Sequence, residues 1–143
     1  MSLYEVVTRA RETGDYGELM SAVPYAALLG MRMRREDGRL LFHLPFNDRN
    51  IGNVMLPALH GGVIGGFMEH AAICQLIAER ESVQMPKTID FSIDYLRSGR
   101  AADTHAVCRV TKQGKRVAHV GVDAWQASPD KPIAVARAHF LLT

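Results

Sequence analysis

The sequence predicts an α+β domain in which an antiparallel sheet of about six strands wraps one long central helix, with short helices at the N-terminus. Three observations predict it. Residues 57–81 form the longest apolar stretch, and between Gly61 and Cys74 the only polar side chains are Glu69 and His70; a helix apolar nearly all round is a buried one. Ile89, Phe91, Ile93 and Tyr95 alternate with Thr88, Asp90, Ser92 and Asp94, the period of a strand with two unlike faces. Turn signals then divide the C-terminal part into segments with short connections. Such segments are antiparallel neighbours, and the sheet they form is left to cover the helix.

The elements follow in order. Leu3, Val6, Val7 and Ala10 have helical spacing, so residues 3–12 are expected as one helix and 16–22 as a second, divided by Gly14 and followed by Pro24. An extended segment is expected from Ala26 to Arg35, and Glu36-Asp37-Gly38 reads as a hairpin turn into a return strand from Arg39 to Phe46. Pro45 places the end of that strand, or a sheet edge, nearby. Residues 47–58 are a loop rich in Asn and Gly that leads into the central helix, expected from Gly61 to about Glu81. Four strands are then expected: one from Pro86 through Tyr95, then 103–112, 116–127 and 132–142. They are parted at Ser98-Gly99, Gln113-Gly114 and Ser128-Pro129-Asp130.

A chain of 143 residues, 48% hydrophobic and 22% charged, is ordinary for one globular domain with a real core. Residues 1–25 are expected as a helical extension and 26–143 as the main domain. Met1 to Gly14 lacks the apolar segment of a signal peptide. Cys74 and Cys108 read as small core residues rather than a disulfide framework or a zinc site, so a cytoplasmic location is expected. The apolar helix is long enough to span a bilayer, but Glu69 and His70 at its centre and the glycines around them argue against a membrane. A net charge of +2 is too small to point to nucleic acid. Charge is uneven, however: Arg97, Arg100, Arg109, Lys112, Lys115 and Arg116 face Asp103 alone. This stretch is either a charged strand edge or a patch for a phosphorylated ligand.

Glu69 is the residue that most needs a reason, because a buried carboxylate is costly unless paired or used. On its helix face lie Gly62, Gly65 and Gly66, none with a side chain. Three glycines in a helix cost up to about 1 kcal/mol each relative to Ala. Either another backbone packs against them, or they leave room for a ligand before the carboxylate. Gly61 and Gly62 stand at the helix start, where N–H groups lack an intrahelical partner and can bind an oxyanion. His60 reads as a ligand contact or as a histidine bonded to nearby backbone, and His70 as structural. Trp125 reads as a sheet residue, in the core or at an interface.

The run His60-Gly61-Gly62 with Glu69 nine residues after His60, then Thr88 through Arg97, then Lys112-Gln113-Gly114-Lys115, resembles the hot-dog fold thioesterases of the PaaI-type and 4-hydroxybenzoyl-CoA thioesterase-like family. The resemblance covers roughly residues 26–142. It implies hydrolysis of an acyl-CoA thioester, with Glu69 as nucleophile or general base and the Gly61 amide polarising the carbonyl. It also implies that Thr88 supports the acid or the water. Members often carry Asn or Gln six residues before the His. That place is Val54 here; Asn53, one place off, would serve after a one-residue loop change, and Asn50 lies further away.

A thioester needs a base or nucleophile plus oxyanion donors, and no metal or cofactor beyond the CoA of its own substrate. Gly62, Gly65 and Met68 are the expected substrate contacts, with Arg97, Arg100, Lys112, Lys115 and Arg116 near the phosphates. Met55, Leu56, Phe67 and Met68 imply an apolar pocket for an aromatic or medium-length acyl group. Gly61 and Glu69 are eight residues apart, about 12 Å along one helix, so a carbonyl reaches both only if two antiparallel helices of a homodimer, or of a dimer of dimers, share the site. The competing functions are a hot-dog hydratase or dehydratase using His60 with Glu69, and a non-catalytic acyl-CoA binding or sensing module.

Overall fold

The computed structural model describes residues 1–80 and 84–143. Its elements are α1 (Leu3–Thr13), α2 (Gly17–Ala22), α3 (Pro24–Leu29), β1 (Arg32–Glu36), β2 (Arg39–Leu44), β3 (Ile51–Asn53), β4 (Ala58–Leu59), α4 (Gly61–Glu79), β5 (Lys87–Tyr95), β6 (Thr104–Gln113), β7 (Val117–Trp125) and β8 (Ala134–Leu141). Glu81, the expected end of the central helix, lies outside the described residues. The main sheet is antiparallel with strand order β1-β2-β6-β7-β8-β5, and β3 and β4 form a separate small ribbon. α4 packs across the sheet, in contact with β2, β5, β6, β7 and β8. This is the expected α+β architecture of a hot-dog domain.

Two expectations about order are corrected. Ala26 to Leu29 is helical, not extended. Pro24 does not merely end α2; it occupies the first turn of α3, where its missing N–H costs nothing. Gly30, at φ 68°, then closes α3 in the left-handed region. The boundary expected at residue 25 therefore falls inside a helix. The N-terminal helices also share the main core, since Val7, Leu19, Ala26 and Leu29 are buried in one cluster with Phe67 and Phe140. The second correction concerns β5. It does not pair with the strand after it. It crosses over to the far edge and pairs with β8, Tyr95 opposite Ala134 and Lys87 opposite Leu141.

Local chemistry explains the frame. Ser2 and Glu5 form a capping box at the start of α1. Asp37 and Gly38, at φ 52° and 75°, make the left-handed two-residue turn between β1 and β2, whose twist suits paired strands. β2 turns Leu40, Phe42 and Leu44 inward and ends before Pro45. α4 is apolar and long enough by composition to cross a bilayer, but ten of its side chains are buried inside the protein. Arg11 donates to the Ile77 carbonyl near its C-terminal end, where a cation suits the helix dipole. Cys74 on α4 and Cys108 on β6 are free and buried, as expected of core residues. Burial pushes the Cys74 thiol up to about 12 and raises Cys108 as well. Trp125 is half-buried on the sheet face turned away from α4, near His105.

Asp103 ties the end of β2 to the start of β6. Its carboxylate accepts from the Phe46 N–H at 2.7 Å and pairs with His43 Nε2 at 2.8 Å. The Phe46 N–H first, and His43 second, hold its pKa below the ordinary value. A depressed acid stabilises the fold above its unfolded pKa, and the contribution is lost as pH falls through the lower folded value. Asp103→Asn is therefore expected to lower Tm at neutral pH. The difference from wild type should close in strong acid; a gap of constant size across the titration would contradict it.

Candidate active site

The loop before α4 sets the helix start. Asn53 Oδ1 accepts from the N–H groups of Met55 at 2.9 Å and Leu56 at 3.4 Å, shaping an Asx-type turn ahead of a cis Leu56–Pro57 bond. β3 and β4 then bring His60 back, its N–H donating to the Asn50 carbonyl at 2.8 Å. Gly52 permits this approach, since a Cβ there would stand 2.7 Å from His60 Cα. His60 is the N-cap of α4, and its Nδ1 accepts from the Gly62 N–H at 2.9 Å. Of the two amides expected to serve an oxyanion, Gly62's is thus consumed within the chain. Gly61's N–H has no partner among the described residues.

The glycine face is not empty, and it is not packed against backbone either. Aromatic rings flank it. Tyr95 of β5 lies over Gly61 and Gly65, with its ring and hydroxyl 3.3 Å from a Cβ placed at Gly61. Its hydroxyl donates to the Gly61 carbonyl at 2.6 Å. Tyr25 of α3 lies over Gly66. On a helical wheel Gly62 is nearly in line with Glu69, with Gly65 roughly 40° to one side and Gly66 roughly 60° to the other. The Gly65 side of this face is thus lined by Tyr95, Phe91 and Ile93 and the Gly66 side by Tyr25, and Glu69 follows about one turn further along α4, between the two sides. The carboxylate is half-buried rather than buried, because the outer side of α4 is open in the single chain. Among the described residues it makes no hydrogen bond or ion pair. His70 is structural, as expected, with its Nδ1 bonded to the Gly66 carbonyl at 2.8 Å.

Thr88 reaches this side through a feature the alternation hides. A bulge between Thr88 and Asp90 shifts the β5 register, so that Thr88 faces Phe140, and Phe91, Ile93 and Tyr95 face Ala138, Ala136 and Ala134. Those four β8 residues are buried on the α4 side, and paired residues share a face. Thr88 thus sits on the helix side and Ile89 turns outward, 57% exposed.

The remaining expected contacts scatter. Met68 and Phe67 are fully buried in the core, while Met55 and Leu56 are exposed, so these four line no common pocket. Arg97 and Arg100 lie at the N-terminal end of α4. Arg97 donates to the Pro132 carbonyl, and Arg100 bridges to Ala58. A pocket of about 390 Å³ there is lined by Gly61, Tyr95, Arg97 and Ser98 among others. Lys112 is far along β6, and Lys115 and Arg116 are at its far hairpin, about 30 Å away along a strand of that length. The Arg116 carbonyl accepts from Leu142, whose own carbonyl accepts from Arg80 at the other end of α4. Within one chain the five basic residues are two groups, not one patch. Tyr25 and Tyr95 are the residues that reading the sequence missed; their only trace there is the glycines they cover.

Comparison with known proteins places the chain. The curated medium/long-chain acyl-CoA thioesterase YigI of Salmonella typhimurium is 30% identical over 116 residues, covering 71% of this chain and 74% of that protein. A crystal structure of a Chromobacterium violaceum protein is 51% identical and covers 97% of each chain, with a TM-score of 0.79. A Bacillus halodurans protein solved with CoA is 21% identical, covers 99% of this chain and 91% of its own, and superposes with a TM-score of 0.77; it shares the fold. The profile of the Thioesterase superfamily matches residues 56–133, from the loop before α4 to the start of β8, and with more than half its length inside that match, the chain belongs to the thioesterase superfamily.

Proposed function

We propose that the protein hydrolyses acyl-CoA thioesters in a site shared by two chains. The observation that carries the reading is Glu69: an acid on a glycine-flanked face, without a partner among the described residues, in a chain of this superfamily. As general base it takes a proton from water as the water attacks the carbonyl. The oxyanion so formed receives the free Gly61 N–H, and collapse expels the CoA thiolate, which regains a proton. As nucleophile it would first form an acyl-enzyme anhydride that water then opens. Thr88 and Asn53 are the candidates to hold the water or the acid. The Asn53 oxygen is taken by the loop, which leaves its NH₂ to donate. His60 orients the helix start. In neutral form its Nδ1 lone pair is used and its Nε2 bears the proton, so it has no free lone pair for the base role a hydratase would ask of it.

Two copies are needed because Gly61 and Glu69 are about 12 Å apart on one helix. The open edge of β5, with Ile89, Tyr95 and Leu96 exposed, and the exposed apolar Val54, Met55 and Leu56 of the loop before α4 support a dimer that buries such surface, and a dimer of dimers remains compatible. Antiparallel packing of two α4 helices would bring Lys115 and Arg116 of one chain toward the end of α4 where Arg97 and Arg100 of the other lie, so the phosphates would be held from both. A cytoplasmic location fits the free buried thiols. The medium and long acyl chains of the Salmonella relative's name are the first substrates to try. The test is thiol release over a panel of acyl-CoAs; an assembled, folded protein that releases thiol from none of them refutes the proposal and favours a binding module. Arg97→Ala with Arg100→Ala should raise KM for acyl-CoA by about three- to tenfold, with kcat within about twofold, and flatten its salt dependence. Unchanged KM would remove these arginines from the phosphate site.

A further inference from the structure

We propose that Tyr25 sets which acyl chains the site accepts, its ring forming the wall against which the acyl end of the thioester packs. The proposal rests on the acyl-CoA reading above. On the helix surface Gly66 lies between Glu69 and His70, and the Tyr25 ring occupies the space its missing side chain leaves. Tyr25 Cε1 is 2.8 Å, and its hydroxyl oxygen 3.2 Å, from where a Cβ at Gly66 would stand. The ring is held from the other side by His70, the two centroids 5.0 Å apart and tilted by 45°. His70 is itself fixed by its bond to the Gly66 carbonyl. Tyr25 is thus a clamped wall on the Gly66 side of the Glu69 face, yet it keeps 40% of its surface exposed, and its hydroxyl has no hydrogen-bond partner among the described residues.

In the shared site the Gly61 that faces the carbonyl brings the Tyr95 of its own chain, and the Glu69 that faces it brings the Tyr25 of its own chain; these two walls differ in chemistry, which assigns their roles. On the β5 side Tyr95 is tied to Gly61 and adjoins the pocket that holds Arg97 and Ser98, a surface suited to the polar CoA arm. On the α3 side Tyr25 is followed one turn later by Leu28, 67% exposed, an apolar surface with no charge between them in the helix sequence Pro-Tyr-Ala-Ala-Leu-Leu. An acyl chain leaving the carbonyl away from CoA meets this second surface, and ring size at position 25 limits its length.

The test compares kcat/KM for long and short straight-chain acyl-CoAs in wild type, Tyr25→Ala, Tyr25→Phe and Tyr25→Trp, with melting temperature and oligomer size measured on each. Tyr25→Ala is expected to raise the long-to-short ratio by about tenfold, in the range that added methylenes are worth in an apolar pocket. Tyr25→Trp is expected to move the ratio the opposite way, and Tyr25→Phe to leave it within about twofold, since volume and not the hydroxyl is at issue. Opposite shifts with unchanged assembly are not what general loosening of α3 would produce. If Tyr25→Ala fails to fold, the shift in Tyr25→Trp decides. A ratio that stays constant in the folded variants overturns the proposal and leaves thioester hydrolysis standing. A wild-type protein inactive on every acyl-CoA overturns the reading beneath it, and the proposal with it.

Discussion

Glu69→Gln is expected to leave a folded, assembled protein whose kcat on its best acyl-CoA falls by about 10²–10⁴-fold, the range general-base catalysis is worth, and further if the route is covalent. The substitution keeps the volume and the hydrogen-bonding atoms and removes the base and the nucleophile together. Glu69 has no partner among the described residues to strand, so the usual cost of breaking a buried pair does not arise. The melting temperature should hold or rise, and KM should change little. A folded variant that turns over within about threefold of wild type would make Glu69 a structural residue and end this account of the site.

The second large effect concerns Gly61. Proline is well suited to the first position of a helix, and His60, at φ −62° and ψ 130°, already has the extended conformation favoured before proline. Gly61→Pro therefore deletes one N–H with little disturbance of α4. Its ring carbon meets Tyr95 closely, and Gly61→Ala, which brings the same contact but keeps the N–H, is the control. Loss of one oxyanion donor is expected to lower kcat by about 10²–10³-fold in Gly61→Pro, with a far smaller change in Gly61→Ala. Co-expressing Gly61→Pro with Glu69→Gln then tests the shared site. Half the dimers are mixed, and each mixed dimer has one site with both groups intact, so activity should recover to about a quarter of wild type. No recovery above the two inactive parents, with mixed dimers present by mass, would place each site within one chain.

Much of the architecture was legible because it depends on local pattern. The nearly continuous apolar run of α4, the Asp37-Gly38 turn and the alternating strands each report an environment that their own residues demand. Features made by distant residues were not legible. Ala26 to Leu29 is too short a run to separate helix from strand, and Pro24 read as an end when it was a beginning. The alternation in β5 continues through the bulge, so nothing in the residues announces that Thr88 turns toward the helix. The basic stretch looked like one patch because its members are close in sequence, whereas β6 carries them to opposite ends of the sheet. The glycines around Glu69 signalled that something fits there, but the Tyr25 and Tyr95 rings that fill the space come from elements 41 and 34 residues away from the glycines they cover.

The position of β5 beside β8 has a consequence for how the molecule forms. Lys87 must find Leu141, and Tyr95 must find Ala134, across the whole β6–β7 meander. Closing such long loops costs entropy before any contact is gained, and topologies rich in them fold slowly. The hairpins β1–β2, β6–β7 and β7–β8 can form from near neighbours. The strand that bears Thr88 and Tyr95 has no edge to join until residues 134–141 are in place, and until then α4 lacks one of its walls. The glycine face of α4 therefore gains its β5 wall late in folding. An arrested chain that stops short of it exposes a long apolar helix and an unpaired strand together, the two features that most favour aggregation.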